Sequence, residues 1–157
     1  MDLRLAAYAV CIEDERVLLV RHVPLVGEPN WSLPGGRVEH AEDPFDAVIR
    51  EVAEETGLEA VVERLLGVDS RVVPAAERRL PGRPELQNVG IFYGVRITGG
   101  RLRSEPNGET GNPVWAPVPG VARVGRSSLV DIGLALARTV PPTGHVAPVP
   151  VGGLIRH

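Results

Sequence analysis

Apolar residues recur along the chain with two periods, one of two residues and one of three to four. Alternating or continuous apolar runs predict strands, because successive side chains of a strand point to opposite faces. Such runs cover residues 4–12, 17–21, 59–73, 88–97 and 114–118. The first two runs flank the polar segment EDER, which predicts a hairpin loop between them.

The segment after residue 42 follows the helical period instead. Asp43 is a good N-cap, Pro44 suits the first helical position, and Gly57 suits the residue that ends a helix. One side of this helix carries an apolar stripe, which is expected to face the core. The stripe consists of Phe45, Val48, Ile49, Val52 and Thr56.

A second helix is predicted near the end of the chain, from Ser127 or Ser128 to about Arg138. Its inward face is expected to carry Leu129, Ile132 and Leu136. Strands interleaved with two helices favour an α/β sandwich in which a mixed sheet lies between helices. Residues 1–140 would form this domain. Residues 141–157, rich in Pro and Gly, would form an extended tail, either disordered or laid across another surface.

Composition narrows the classes of function. The 157 residues carry a net charge of only −3, which gives no case for binding a nucleic-acid polymer or an anionic membrane surface. No apolar run approaches the roughly 20 residues of a membrane span. Asp2 is unlike the basic start of a signal peptide, and the single cysteine, Cys11, suits a reducing compartment. A cytoplasmic location is therefore expected, with Cys11 as a small buried hydrophobe.

The first helix also places three carboxylates close together, and all three are expected to project away from the apolar stripe. Glu51, Glu54 and Glu55 are three and four residues apart and follow a glycine pair, Gly35 and Gly36. Three such carboxylates repel one another, and a hard divalent cation would relieve the repulsion. Oxygen ligands suit Mg²⁺ or Mn²⁺, whereas Zn²⁺ sites usually contain His or Cys, which this helix lacks. Mg²⁺ bridges phosphate oxygens, so the pattern indicates a diphosphate substrate.

The spacing of these residues resembles a known motif. From Gly36 the chain reads Gly, five residues, Glu42, seven residues, and then REVAEETGL, which ends at Leu58. This is similar to a complete Nudix box, and the resemblance extends over about residues 4–138. It implies a Nudix-type α/β/α sandwich and an Mg²⁺-dependent hydrolase. Such an enzyme splits a phosphoanhydride bond in a nucleoside diphosphate linked to another group.

The resemblance also implies a role for each motif residue. The metal ligands would be the carbonyl of Gly35 and the carboxylates of Glu51, Glu54 and Glu55. Arg50 would hold Glu51 in place through a charge-assisted hydrogen bond. Three further residues would be structural: Gly36 would permit the backbone geometry, Glu42 would brace the junction of loop and helix, and Gly57 would end the helix.

The general base stays open between two places in the chain. Related enzymes use either a glutamate inside the box or one from a later loop, so the alternatives are Glu51 and Glu109. The catalytic set implied by the resemblance is then Glu51, Glu54, Arg50 and Glu109. Glu105 is a second loop acid, and for both loop residues a solvated surface acid is the alternative.

The substrate and the assembly are also open at this stage. The family acts on small nucleotide diphosphate derivatives, of which ADP-ribose-like compounds and (d)NTPs are both candidates. Several arginines in or beside the loop at 74–87 could contact phosphate, although solvated charges are the favoured interpretation; they are Arg71, Arg78, Arg79 and Arg83. Because dimers are frequent in the family, a homodimer is an alternative to a monomer. A catalytically silent domain that senses nucleotides or binds proteins is the alternative function.

Overall fold

The structure, a computed structural model, describes residues 1–22, 29–78, 80–105 and 110–157. Its strands are β1 Asp2–Val10, β2 Ile12–Glu13, β3 Arg16–His22, β4 Asn30–Ser32, β5 Gly35–Arg37, β6 Leu58–Val73, β7 Leu86–Gly100, β8 Thr110–Pro117, β9 Arg126–Ser127 and β10 Ile155–Arg156. Its helices are α1 Pro44–Thr56 and α2 Ser128–Thr139, with short 3₁₀ helices at Ala75–Glu77 and Val118–Arg123. The predicted α/β class is confirmed.

The strands form two mixed sheets. The first has the order β5-β1-β7-β6, in which β1 and β7 run parallel while the other neighbours are antiparallel. The second has the order β10-β9-β4-β3-β2, and β8 also pairs with β3. The sequence suggested a single mixed sheet, but the short strands β4 and β9 join the second sheet by parallel pairing at Trp31 and Arg126. Pairing of such short, distant segments leaves no periodic signal in the sequence.

The predicted hairpin between β1 and β3 is confirmed, although its loop is shorter than EDER. Glu13 and Arg16 are paired across β2 and β3. Only Asp14 and Glu15 form the turn, with φ angles of 51° and 61°. Two consecutive residues with positive φ are typical of a type I′ turn, whose twist matches that of the flanking strands.

Strand β1 is an inner strand of the first sheet, and its second half, from residue 6 to residue 10, is buried on both faces. Ala6, Tyr8 and Val10 point into a core that α2 completes with Leu129, Ile132 and Leu136. Ala7, Ala9 and Cys11 point the other way, into a second core completed by α1. This alternation places the first sheet between the two helices, as the sandwich requires.

Helix α1 confirms the predicted caps. The Phe45 N–H donates to the Asp43 side chain at 2.8 Å, and the helix ends at Gly57, whose φ is 78°. Val48, Val52 and Thr56 are buried as expected, but Phe45 is 46% exposed, so its assignment to the core was wrong. Phe45 lies in the first turn of the helix, and its ring meets that of Tyr93 on β7 edge-on at 6.3 Å.

Helix α2 begins after Ser127, whose hydroxyl accepts a hydrogen bond from the Leu129 N–H at 3.2 Å, as predicted. Residues 141–157 lie along the surface of the same chain. The Val68 N–H donates to the Gly144 carbonyl at 2.9 Å, and Val146 and Val149 pack against the α2 core. In the described part of the chain, neither helix has the length and apolar character that a membrane crossing needs.

Cys11 is fully buried and unpaired, which confirms its interpretation as a small core hydrophobe. Burial raises the pKa of its thiol to about 12. The thiol is therefore protonated at neutral pH and is a poor nucleophile or metal ligand.

Candidate functional site

The side chain of Arg50 is the centre of the candidate site. Its Nε and Nη2 donate to the two carboxylate oxygens of Glu42, at 2.8 and 2.9 Å. Its Nη1 donates to Glu51 at 3.0 Å and to Glu54 at 3.2 Å, and Nη2 also reaches the Arg37 carbonyl at 3.2 Å. We call Arg50, Glu42, Glu51 and Glu54 the Arg50 cluster. One guanidinium therefore links the approach loop to two carboxylates of α1.

Glu42 joins the helix to the loop before it. Besides the two bonds from Arg50, its carboxylate accepts the Glu39 N–H at 3.0 Å. These bonds, those from Arg50 first, lower the pKa of Glu42 from 4.5 to about 2. The carboxylate consequently stays ionised throughout the neutral range, and its bonds to Arg50 and Glu39 are kept.

The lowered pKa of Glu42 predicts that the stability of the fold depends on pH. Because the pKa of Glu42 is lower in the folded chain, its contribution is fully present above pH 4.5 and is lost as the pH falls toward 2. We expect Glu42→Gln to melt at a lower temperature than the wild type near pH 6, and the difference to shrink between pH 4.5 and pH 2. Thermal melts across this range test the expectation. A difference that does not change with pH would contradict it.

The glycine pair lies directly against two of the glutamates. The Gly35 N–H donates to Glu55 Oε1 at 2.7 Å. A Cβ on Gly36 would come within 2.8 Å of Glu51 Oε1, so a side chain there would displace that carboxylate. Gly35 has φ of 153°, and a Cβ there would lie 2.3 Å from the Ala7 carbonyl oxygen. Gly35 is therefore required by the backbone, whereas Gly36 leaves the Glu51 carboxylate in its place.

Glu55 differs from the sequence-based expectation that all three glutamates project away from the apolar stripe. It is only 5% exposed and lies on the buried side of α1, beside Thr56. Its carboxylate is satisfied there by the Gly35 backbone rather than by solvent. The expectation failed because Glu55 follows Val52 by three residues, which places it at the edge of the buried stripe.

Glu51 is the most desolvated carboxylate of the Arg50 cluster, with its side chain 14% exposed. Burial raises its pKa, the Arg50 guanidinium opposes the rise, and the charges of Glu54 and Glu105 add to it. Glu105 thus acts electrostatically on Glu51 from the later loop. Glu109, the other predicted loop acid, lies outside the described residues.

The carboxylate oxygens of the site are suitable ligands for a hard cation, although they do not converge on a single position. Glu51 and Glu54 share one Arg50 nitrogen, Glu51 lies over Gly36, and Glu55 contacts Gly35. All of these donors are oxygens, which fits Mg²⁺ or Mn²⁺ better than Zn²⁺. Among the described residues, however, no three His, Cys, Asp or Glu side chains are placed to hold one ion together. In this arrangement Arg50 supplies the positive charge between Glu51 and Glu54.

A cleft of about 660 Å³ opens between the two sheets and reaches the motif at Gly35, Arg37 and Glu55. This volume lies within the usual range for small-molecule sites. Its walls come from β1, β3, β4, β5, β6 and β7, with contributions from α2 and His157. Its charged and polar side chains include Arg4, Tyr8, His22, Arg37, Glu55, Arg71, Asn88 and His157.

The arginines near the loop at 74–87 differ from one another. Arg71 is half-buried in the cleft wall, and its Nη1 donates to Ser128 at 2.7 Å, so the interpretation as a solvated charge was wrong for it. Arg78 also lines the cleft and pairs with Asp2 at 2.5 Å. Arg83 is exposed, as expected, and Arg79 lies outside the described residues.

Sequence reasoning missed two residues of the cleft wall, Arg4 and Asn88. Arg4 lies in β1 and Asn88 in β7, two strands made mostly of apolar residues. Both side chains face the cleft. The available signal was an amide, Asn88, at the start of an otherwise apolar strand, where an unpaired polar group is costly.

A family model described as NUDIX domain matches residues 2–125. A putative 8-oxo-dGTP diphosphatase of Bacillus subtilis is 32% identical over 103 residues, covering 66% of this chain and 58% of that protein. An ADP-ribose pyrophosphatase of Methanocaldococcus jannaschii is 34% identical over 93 residues, covering 59% and 50%. The chain thus spans little more than half the length of these relatives.

A solved structure shares the fold. A NUDIX hydrolase from Nitrosomonas europaea superposes with a TM-score of 0.66 at 19% sequence identity, over 78% of this chain and 77% of that chain. At this identity the likeness concerns the arrangement of sheets and helices. It agrees with the two mixed sheets and flanking helices described above.

Proposed function

The chain belongs to the NUDIX domain family, and from this membership we propose that it hydrolyses a phosphoanhydride bond in a nucleoside diphosphate linked to another group. The observation that carries the proposal is that the cleft reaches Gly35, Arg37 and Glu55 beside the Arg50 cluster: Arg50 donates to the Arg37 carbonyl, and Glu55 accepts from the Gly35 N–H. A nucleotide derivative in the cleft would place its diphosphate beside these carboxylates. The names of the two relatives support (d)NTP-like and ADP-ribose-like compounds as the first candidates.

We propose that Glu51, Glu54, Glu55 and the Gly35 carbonyl hold Mg²⁺ or Mn²⁺. Support comes from the contact between Glu55 and Gly35 and from the two glutamates that converge on Arg50 Nη1. When bound, the cation would neutralise charge on the diphosphate and lower the pKa of a coordinated water. Arg50 would remain bound to Glu42 and keep Glu51 directed toward the diphosphate.

The chain offers two candidates for the group that removes a proton from the attacking water. Glu51 is desolvated and adjacent to the glycine turn, and its raised pKa makes it a better base than an exposed glutamate. Glu109 is the second candidate from the sequence. Glu109→Gln separates them: it should lower kcat by roughly 10²-fold or more if Glu109 is the base, and leave kcat unchanged if Glu51 is the base. Glu51→Gln alone does not separate them, because Glu51 is also a proposed metal ligand.

Metal removal is the direct test of the proposed chemistry. The purified protein would be incubated with ADP-ribose, dGTP, 8-oxo-dGTP and a UDP-sugar, each with MgCl₂, and the products separated by chromatography. We expect at least one compound to yield a nucleoside monophosphate and a second phosphorylated product or pyrophosphate. Chelation with excess EDTA should lower this rate by roughly 10³-fold or more, and added MgCl₂ should restore it.

The same panel distinguishes the alternative of a silent sensing domain. Tight binding of one compound without any product would favour the sensor and overturn the hydrolase. Turnover that EDTA does not affect would leave a hydrolase but exclude the proposed metal site.

A further inference from the structure

A row of three polar side chains crosses the first sheet inside the cleft. Arg4 on β1 is the direct partner of Asn88 on β7, and Asn88 is the direct partner of Arg71 on β6. Direct partners on neighbouring strands present their side chains on the same face. All three line the cleft, and we call them the polar row.

The polar row contains unsatisfied hydrogen-bonding groups. Across the described residues, the buried side-chain nitrogen and oxygen atoms without a hydrogen-bond partner are Arg4 Nε, Arg71 Nε and Asn88 Oδ1. Buried polar atoms are almost always paired, so three unpaired atoms in one row require an explanation. A bound ligand that satisfies all three at once supplies one.

The partners already present fix how the row is oriented. The Asn88 amide is 2% exposed, and its Nδ2 donates to the Tyr8 hydroxyl at 3.2 Å, which leaves its oxygen without a partner. A carbonyl oxygen is also the favoured end of an amide between two guanidinium groups, because their positive charges attract it. Arg71 is held by Ser128 at 2.7 Å through Nη1, so its Nε is the atom left over.

Neither arginine of the row forms an ion pair with a carboxylate in the part of the chain that is described, unlike Arg50, Arg78 and Arg126. Burial lowers the pKa of Arg71, and the charge of Arg4 lowers it further, while Tyr8 and Asp69 act in the opposite direction. The row therefore presents a donor, an acceptor and a donor in order. A simple anion fits it poorly, because it would meet the Asn88 oxygen at the centre.

The row also lies at a useful distance from the motif. Arg4 precedes Tyr8 by four residues on β1, and Tyr8 is the direct partner of Gly35. At the rise of a strand, this places the row about 13 Å along the sheet from the glycine turn. This separation is on the scale of a nucleoside and its diphosphate. Tyr8 lines the cleft at the end nearest the glycine turn, and its ring lies 5.3 Å from the buried ring of Phe92.

We propose that Arg4, Asn88 and Arg71 recognise a nucleobase whose edge carries a ring N–H between two carbonyl oxygens. The carbonyl oxygens would accept from the two arginines, and the N–H would donate to Asn88 Oδ1. Oxidised guanine presents this pattern at O6, N7–H and O8, and uracil presents it at O2, N3–H and O4. Ordinary guanine places an acceptor, N7, opposite the Asn88 oxygen and is disfavoured. The inference rests on the proposed function in taking a nucleotide as the ligand.

Binding of nucleoside monophosphates, measured by calorimetry, tests the proposal without requiring turnover. We expect 8-oxo-dGMP to bind roughly 10-fold to 100-fold more tightly than dGMP, or dUMP more tightly than dCMP by a similar factor. The two pairs of ligands separate an oxidised purine from a pyrimidine dione. Equal affinities within both pairs would overturn the proposal.

Substitutions then assign the preference to the row. Asn88→Leu should bring the ratio of affinities within the discriminated pair of ligands close to one. Asn88→Asp keeps an acceptor between the arginines and should retain the ratio. Gln87→Leu is the matched control, because Gln87 precedes Asn88 on β7 and its amide contacts Ser70 on the other face. An unchanged ratio in Asn88→Leu would overturn the proposal. So would Arg4→Gln and Arg71→Gln variants that weaken all four ligands equally, because that result indicates a phosphate site.

The measurements separate this inference from the proposed hydrolase. A base preference without any hydrolysis would support base recognition by the polar row and overturn the proposed hydrolase function. Hydrolysis without a base preference would do the reverse.

Discussion

Replacing Glu51 with Gln is expected to lower kcat by a factor on the order of 10²–10⁴ while the fold is retained. The Glu51 carboxylate lies over Gly36, next to the cleft residue Gly35, and accepts from Arg50 at 3.0 Å. Glutamine has nearly the same shape and can still accept from Arg50, so packing around the turn should survive. What it removes is the negative charge proposed to hold the cation or accept a proton. Steady-state kinetics with MgCl₂, on whichever compound of the panel is cleaved, measures the loss.

The matched control is Glu63→Gln, which removes an equivalent charge from the surface of β6, where the side chain is 56% exposed. Its kcat should equal that of the wild type. Circular dichroism and the melting temperature check that both variants are folded. Full activity in Glu51→Gln would exclude Glu51 both as a metal ligand and as the base.

The parts of the fold that depend on neighbouring residues could be predicted from the sequence. The caps of α1 at Asp43 and Gly57 and the start of α2 at Ser127 each rest on hydrogen bonds within a few residues. The hairpin at Asp14 and Glu15 is local in the same way. Because each of these features is formed by residues close together in the sequence, the local sequence is sufficient to predict it.

Two assignments on α1 failed because a helical period gives the angular order of residues but not the width of the buried face. The glycine turn covers the last turn of the helix, so Glu55 is buried and bonded to Gly35. In the first turn, the Phe45 ring contacts only the edge of the Tyr93 ring among the aromatic side chains and stays 46% exposed. Both outcomes depend on what packs against the helix, and the helix sequence does not carry that information.

The polar row was beyond prediction for a different reason. The row is formed by residues on three strands, Arg4 on β1, Asn88 on β7 and Arg71 on β6. Both pairings, β1 with β7 and β7 with β6, join segments that are distant in the sequence. Only the register of β1, β7 and β6 brings them side by side. The register shifts twice between Val62 and Gly67, so counting residues along β6 would have given the wrong neighbour for Asn88.

Replacing Gly35 with Ala is expected to destabilise the fold by about 3 kcal/mol and to abolish turnover in the same step. At its φ of 153° a side chain is strained, and a Cβ would lie 2.3 Å from the Ala7 carbonyl oxygen and 2.8 Å from the Tyr8 Cα. Because these are backbone atoms of the central strand, β5 must move away from β1. That movement also pulls the Gly35 N–H from Glu55 and the Gly35 carbonyl from its proposed place. The melting temperature should fall by roughly 10 °C.

Gly82→Ala is the matched control for this effect. Gly82 also has a positive φ, 79°, but a Cβ there would meet nothing within 4 Å. Its variant isolates the cost of backbone strain, about 1 kcal/mol, and should keep full turnover. The excess loss in Gly35→Ala then comes from the close approach of β5 to β1 together with the φ of 153°, which a side chain adopts less readily than 79°. If the two variants melted alike and both stayed active, the glycine turn would tolerate a side chain, and Gly35 would have no special part in the site.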